Sequence, residues 1–212
     1  MKAKNLILLL LLVPLFATAQ ENSEMKTLLG KTKHLGWWVS PDFGYTKVDG
    51  HDAWLGGLSG GIIVNHSMSI GLAGYGIMNS NNLAYGNIVD TATVYLYSGY
   101  GGLKLEYRLH PLNAINIAFP LLIGGGCAGY TTWNPHSGTY NYNSNESYNE
   151  YYVWDGFFVL EPGVTVGFNI LKFMRLDAGV SYRYAPSVNL PKTNKNIMSN
   201  FNATIALRFG SL

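Results

Sequence analysis

KFMRLDAGVSYRYA, residues 172–185, decides the fold. Met174, Leu176, Ala178, Val180, Tyr182 and Tyr184 occupy one parity, while Arg175, Asp177, Ser181 and Arg183 share the other with Gly179. Successive side chains of an extended chain point to opposite faces, so this segment reads as a strand with one apolar and one charged face. The next segment repeats the pattern: Phe201, Ala203, Ile205, Leu207 and Phe209 stand against Asn202, Thr204, Ala206 and Arg208. Strict alternation sustained over so many residues is the pattern of a strand and not of a helix.

Working towards the N-terminus, the same period appears six more times. Residues 151–169 set Trp154, Phe158, Leu160, Val164, Val166 and Phe168 against Asp155, Glu161 and Thr165. Residues 92–109 set Tyr95, Tyr97, Leu103, Leu105 and Tyr107 against Ser98, Lys104, Glu106 and Arg108. Residues 113–130 carry Ile115, Ile117, Phe119, Leu121 and Ile123 on one side, and segments 68–78, 52–65 and 35–47 complete a set of eight. Connections alternate in length. Those at 65–68, 110–113 and 169–172 are tight, and those at 79–91, 131–150 and 186–200 are long and polar, with the short 48–52 on the long-loop side. Eight alternating strands with short turns at one end and long loops at the other predict an all-β fold, an eight-stranded antiparallel up-and-down transmembrane β-barrel. Aromatic residues of the apolar parity gather where interfacial girdles are expected: Tyr45, Trp54, Tyr95, Trp154, Tyr184 and Phe201 at the loop ends, and Trp37, Tyr107, Phe168 and Phe209 at the turn ends. A soluble lipocalin-like barrel would wet its outer face with many lysines and glutamates, whereas here the strand charges keep almost entirely to one parity.

The N-terminus supports export. Lys2 and Lys4 precede the apolar run 6–16, followed by Ala17-Thr18-Ala19, which predicts a signal peptide over 1–19 cleaved near Ala19, a periplasmic segment over 20–34 and the barrel over 35–212. Without Lys2 and Lys4 the chain carries as many acids as bases, so nothing favours nucleic acid as a partner. Cys127 has no second cysteine to pair with and reads as a small hydrophobe on an apolar face.

The other parity faces a lumen that eight strands leave just wide enough for side chains to fill. It carries Asp42, Glu106, Asp155, Glu161 and Asp177 beside Lys104, Arg108, Arg175, Arg183 and Arg208. Five acids and five bases in a confined space predict a paired interior charge network, because an isolated buried ion costs several kcal/mol, roughly. An ion or proton path through the same network is the sharper alternative.

The stretch Glu161-Pro162-Gly163-Val164 through Phe168-Asn169-Ile170-Leu171 and on to residues 175–184 resembles the penultimate hairpin of the outer-membrane β-barrel protein family, the small eight-stranded barrels of Gram-negative bacteria. The resemblance spans essentially the whole chain after the signal peptide. It implies insertion in the cell outer membrane, with outer-membrane lipids, lipopolysaccharide and the barrel assembly machinery as partners. It brings no catalytic residues. Many such barrels end on an aromatic residue, whereas here Phe209 is followed by Gly210-Ser211-Leu212, leaving Phe209 or Leu212 as the assembly signal.

Chemistry-bearing motifs are sparse. The histidines are His34, His51, His66, His110 and His136, and none shows a nucleophile, base and orienting acid at a diagnostic spacing. No metal-ligand spacing or phosphate-cradling glycine loop occurs, so no cofactor and no metal is expected. The loop at 131–152 is the most suggestive segment. Trp133, Tyr140, Tyr142 and Tyr148, set among asparagine and serine, have the composition of adaptable recognition surfaces. The sequence thus predicts a non-enzymatic structural or surface-recognition barrel whose extracellular loops bind a sugar or protein. An enzyme acting on lipid A or phospholipid, or a narrow channel, stands as the alternative.

Overall fold

The computed structural model describes residues 34–78, 83–89, 92–134, 139–140 and 153–212. Its strands are β1 (Leu35–Val48), β2 (His51–Val64), β3 (Met68–Ile77), β4 (Ala84–Val89), β5 (Ala92–Leu109), β6 (Ile115–Thr131), β7 (Trp133–Asn134), β8 (Thr139–Tyr140), β9 (Val153–Leu171), β10 (Met174–Arg183) and β11 (Asn200–Gly210). Eight of them, β1, β2, β3, β5, β6, β9, β10 and β11, pair antiparallel in chain order. The ring closes where β1 meets β11, with Asp42 opposite Ala206. The eight segments read from sequence agree with these strands to within two residues at every end. The three short strands β4, β7 and β8 have no counterpart in the alternation; they lie in the loops, β4 running beside β5 with Ala84 opposite Tyr95.

Turn chemistry fixes the register. Asp49 and Gly50 both take positive φ, 50° and 79°, the two-residue hairpin that matches the right-handed twist of β1 and β2. Asn65 and His66, at 52° and 59°, turn the chain between β2 and β3. From these turns the alternation runs without slip along all 14 pairs of β1 and β2, from Leu35 opposite Val64 to Val48 opposite His51.

The outer face is apolar nearly from end to end. Phe43 is 59 % exposed, Leu58 66 %, Leu72 68 %, Phe158 51 %, Val180 61 % and Ile205 57 %. Outward charges on the described strands are confined to Lys47 and Asp52 at the loop end, 3.7 Å apart. A folded chain in water rarely shows contiguous apolar surface beyond a few hundred Å2, so this belt requires an apolar solvent. Along β1 it runs from Trp37 to Tyr45, about 26 Å of strand at ~3.3 Å per residue, or about 20 Å of height once the strand is tilted by ~40°. With Leu35, exposed on the same parity, the belt reaches about 25 Å, the height of the apolar band on outer-membrane barrels.

Trp37, Tyr107 and Phe168 lie exposed at the turn end of the belt and Trp54, Trp154, Tyr184 and Phe201 at the loop end. Tyr95 departs from the expected girdle: it is 8 % exposed, where β4 runs alongside. Cys127 is exposed on the same outward parity.

Candidate functional site

The inward face is layered along the barrel. Nearest the turn end, two acids and two bases form a neutral four-charge cluster, drawn from β5, β10 and β11. Arg108 reaches Glu106 and Asp177, each at 2.9 Å. Arg208 reaches Glu106 at 2.8 Å and approaches Asp177 at 3.3 Å. Asn116 accepts a further bond from Arg108, and the Trp38 ring lies 4.1 Å from the Arg208 guanidinium. Room for the cluster comes from Gly167, where a Cβ would collide with Arg108, Asn116 and Asp177 at once.

The middle layer is held by hydroxyls. Asp42 accepts bonds from Ser40 at 2.7 Å, Ser59 at 2.6 Å and Tyr75 at 2.9 Å, with Lys104 at 3.5 Å. Glu161 accepts from Ser181 at 2.5 Å and Asn202 at 2.8 Å. Between this layer and the four-charge cluster lies a cavity of about 50 Å3 lined by Asp42, Tyr75, Lys104, Glu161, Asp177 and Arg208. It is large enough for a few water molecules and far too small for a solute.

The loop end differs from the sequence expectation. In place of a long polar loop, residues 186–200 fold back over the mouth and bury Val188, Leu190, Ile197 and Met198, none more than 5 % exposed. They pack with Val48, Leu55, Leu96, Tyr130, Phe157 and Val159 into one apolar cluster inside the barrel's upper end. The physical reason is that strands β5 and β9 carry apolar residues on both parities there, leaving a dry inner wall for the loop to cover. Polar anchors hold it in place. The Asn189 amide donates to Asp155 at 2.6 Å, the Asp49 amide to the Ile197 carbonyl at 3.3 Å, and Arg183 Nε to the Met198 carbonyl at 2.6 Å.

The ten charges named from sequence therefore share the interior but not one network. Six of them form ion pairs: Asp42 with Lys104, and Glu106 and Asp177 with Arg108 and Arg208. Glu161 is served by neutral donors, and Asp155 anchors the covering loop. Arg183 is fully buried over the Tyr100 ring at 4.9 Å. Arg175 is held by Asn169 and the Pro111 carbonyl. The sequence shows the parity of these residues but not their heights, which the strand stagger sets.

Outside the lumen, Trp133 is paired with Tyr140 in the β7–β8 ladder. Tyr142 and Tyr148 lie outside the described residues. Tyr85, on the loop strand β4, donates to Asp49 at 2.8 Å and meets Tyr130 edge-on at 5.3 Å. Burial, reinforced by the Asp49 carboxylate, pushes its phenol well above the ordinary tyrosine range. His34 and His66 stack at 3.8 Å at the turn end, His66 Nδ1 lies 3.2 Å from the Leu212 oxygen, and His51 meets the Tyr85 edge at 6.4 Å. His110 sits in the turn after β5 with φ of 50°, and His136 lies outside the described residues.

No family model matches the sequence, and no curated protein matches it. Solved structures do match. The crystal structure of Neisserial surface protein A is 12 % identical, covers 82 % of this chain and 96 % of its own, and superposes with a TM-score of 0.51. A major outer membrane protein from Thermus thermophilus is 8 % identical over 84 % of this chain and 99 % of its own, with a TM-score of 0.56. At such identities the likeness speaks to architecture alone, and it agrees with the strand order, the closure and the apolar belt: this chain has the fold of the small outer-membrane β-barrels.

Proposed function

We propose that this protein is an outer-membrane barrel with a closed interior, whose role is played at its loop end as a structural or surface-recognition protein. The observation that carries this reading is the filling of the lumen from both sides. Ion-paired side chains occupy the turn half and the apolar residues of loop 186–200 occupy the mouth, while the outer face is fit for lipid. A barrel so filled offers its surroundings only its ends, and the loop end holds the aromatic, amide-rich segment 131–152. The Thermus protein is by name an outer membrane protein and the Neisserial one a surface protein, which supports the location.

The test is to display the protein on cells in two forms, intact and with residues 132–151 replaced by a short glycine-serine turn, and to screen both against glycan and extracellular-matrix protein arrays. Binding by the intact form alone, with equal surface amounts of both, is the expected result. Equal binding by both forms would remove the loop from the account. A channel is the second reading, favoured only by the small cavity among Asp42, Lys104 and Glu161, and a sustained open conductance in planar bilayers would establish it instead.

A further inference from the structure

Among the described residues two interior bases, Arg183 and Arg175, form no ion pair, and the one that also lines a groove is Arg175. It is 3 % exposed, yet among the described residues no Asp or Glu carboxylate lies within ion-pairing distance. Its Nε donates to Asn169 Oδ1 at 2.6 Å and its Nη2 reaches the Pro111 carbonyl at 3.4 Å, both neutral acceptors. Asp177, two residues along the same face, is committed to Arg108 and Arg208. A buried guanidinium is costly to leave without a counter-charge, and Arg108 and Arg208 in the neighbouring four-charge cluster each have one.

The place where Arg175 sits gives the reason. It lines a groove of about 670 Å3 at the turn end, with Lys172 at the rim and Leu112, Ile170 and Leu171 among the walls. This is the size of a site for a small organic ligand or a few residues of peptide. The turns of this end, residues 65–67, 110–114 and 172–173, carry no Asp or Glu. Leu212 also borders the groove, and its oxygen lies against His66 Nδ1 at 3.2 Å. The fork is also rigidly set. Asn169, which accepts from it, is itself fixed by donating to the Pro111 carbonyl at 2.9 Å and the Asn113 carbonyl at 2.7 Å.

We propose that this groove binds a peptide carboxylate, which Arg175 and Lys172 engage, while an apolar side chain beside that carboxylate packs on Leu112 and Leu171. A guanidinium fork fits carboxylate and phosphate alike. The apolar walls favour a ligand whose charge is flanked by hydrocarbon, which a peptide provides and inorganic phosphate does not. The site deepens the reading above and rests on it, since in an outer-membrane barrel the turn end faces the periplasm, and its natural ligand would be a peptide there.

The experiment uses the full protein in detergent micelles, where both ends are accessible, and follows the arginine Nε–H signals by 15N NMR. Four probes are titrated: acetyl-Ala-Leu with a free carboxylate, the same dipeptide as its amide, acetyl-Glu-Leu amide and inorganic phosphate. The two carboxylate peptides should bind at least tenfold more tightly than the dipeptide amide and than phosphate, and their relative affinity tells a terminal from a side-chain carboxylate. Arg175→Met should lose at least tenfold, and Lys172→Gln, at an exposed position that leaves the fold intact, about threefold. Equal binding of the amide, phosphate binding as tightly as the peptides, no binding of either carboxylate peptide at millimolar concentration, or full affinity in Lys172→Gln together with a folded Arg175→Met would each overturn the proposal. Vesicle flotation of the same preparation reads the membrane assignment separately, so failure of one leaves the other standing.

Discussion

Glu106→Gln removes one charge from the buried four-charge cluster while keeping the side chain's shape. Glu106 accepts from Arg108 Nη2 at 2.9 Å, from Arg208 Nη1 at 2.8 Å and Nη2 at 2.9 Å, and more weakly from Arg108 Nε at 3.3 Å. A glutamine offers one acceptor oxygen, and its amide points two hydrogens at a guanidinium that has only hydrogens to give. The cluster also goes from neutral to a net charge of +1 at a site where Arg108 and Arg208 are 2 % and 3 % exposed. Breaking a buried pair by removing one partner costs about 3–5 kcal/mol, and we expect a loss of that size. Urea unfolding of detergent-refolded protein, followed by tryptophan fluorescence, measures it, and Trp38 beneath Arg208 is a local reporter. Adding Arg208→Met restores neutrality, leaving Arg108 with Asp177. The double variant should therefore recover about 2 kcal/mol relative to the sum of the single changes. A single-variant loss below about 1 kcal/mol, or strict additivity, would refute the claim that these charges are desolvated and mutually dependent.

Other expectations rest on different layers. Gly167→Ala places a methyl group against three locked polar groups and should cost about 1–3 kcal/mol in the same unfolding assay, whereas Gly74→Ala, which meets nothing within 4 Å, should be within ~0.5 kcal/mol of the parent. Met198→Asp puts a charge into the dry mouth and should release loop 186–200, so that trypsin cuts the folded barrel after Lys192 or Lys195 at least tenfold faster; unchanged cleavage would mean that the apolar packing does not hold the loop. Leu58→Arg near the middle of the outer belt should cost about 2–4 kcal/mol and Trp54→Arg at its loop end about 0–1, a depth dependence that a water-facing surface would not produce.

The barrel is legible in the sequence because its rule is local. In residues 172–185 every second side chain declares its solvent, and eight repeats of that rule, with turns alternating in length, leave one topology. Interior membership is legible for the same reason: Asp42, Glu106, Asp177 and Arg208 betray their side by parity alone. Which of them meet is not legible, since partners such as Glu106 and Arg208 are 102 residues apart and their heights depend on the stagger of non-adjacent strands. The covering loop escapes for a related reason. Val188, Leu190, Ile197 and Met198 follow no single period and are scattered through an asparagine-rich segment, so no alternation marks them as buried. A signal is nevertheless present: the run Val94-Tyr95-Leu96-Tyr97 is apolar on both parities, which marks a stretch that is dry on both sides. Arg175 carries no mark in the sequence at all, because its lack of a counter-charge is a fact of three dimensions.

A membrane-spanning barrel requires lipid to wet its outer parity, and nitroxide labels test this directly in vesicle-inserted protein of a Cys127→Ser background. Labels at positions 43, 58 and 164 should be relaxed strongly by oxygen and hardly at all by a water-soluble nickel chelate. Should the nickel chelate reach those three positions as readily as it reaches a label at Lys192, the belt is wet and the barrel does not span a membrane.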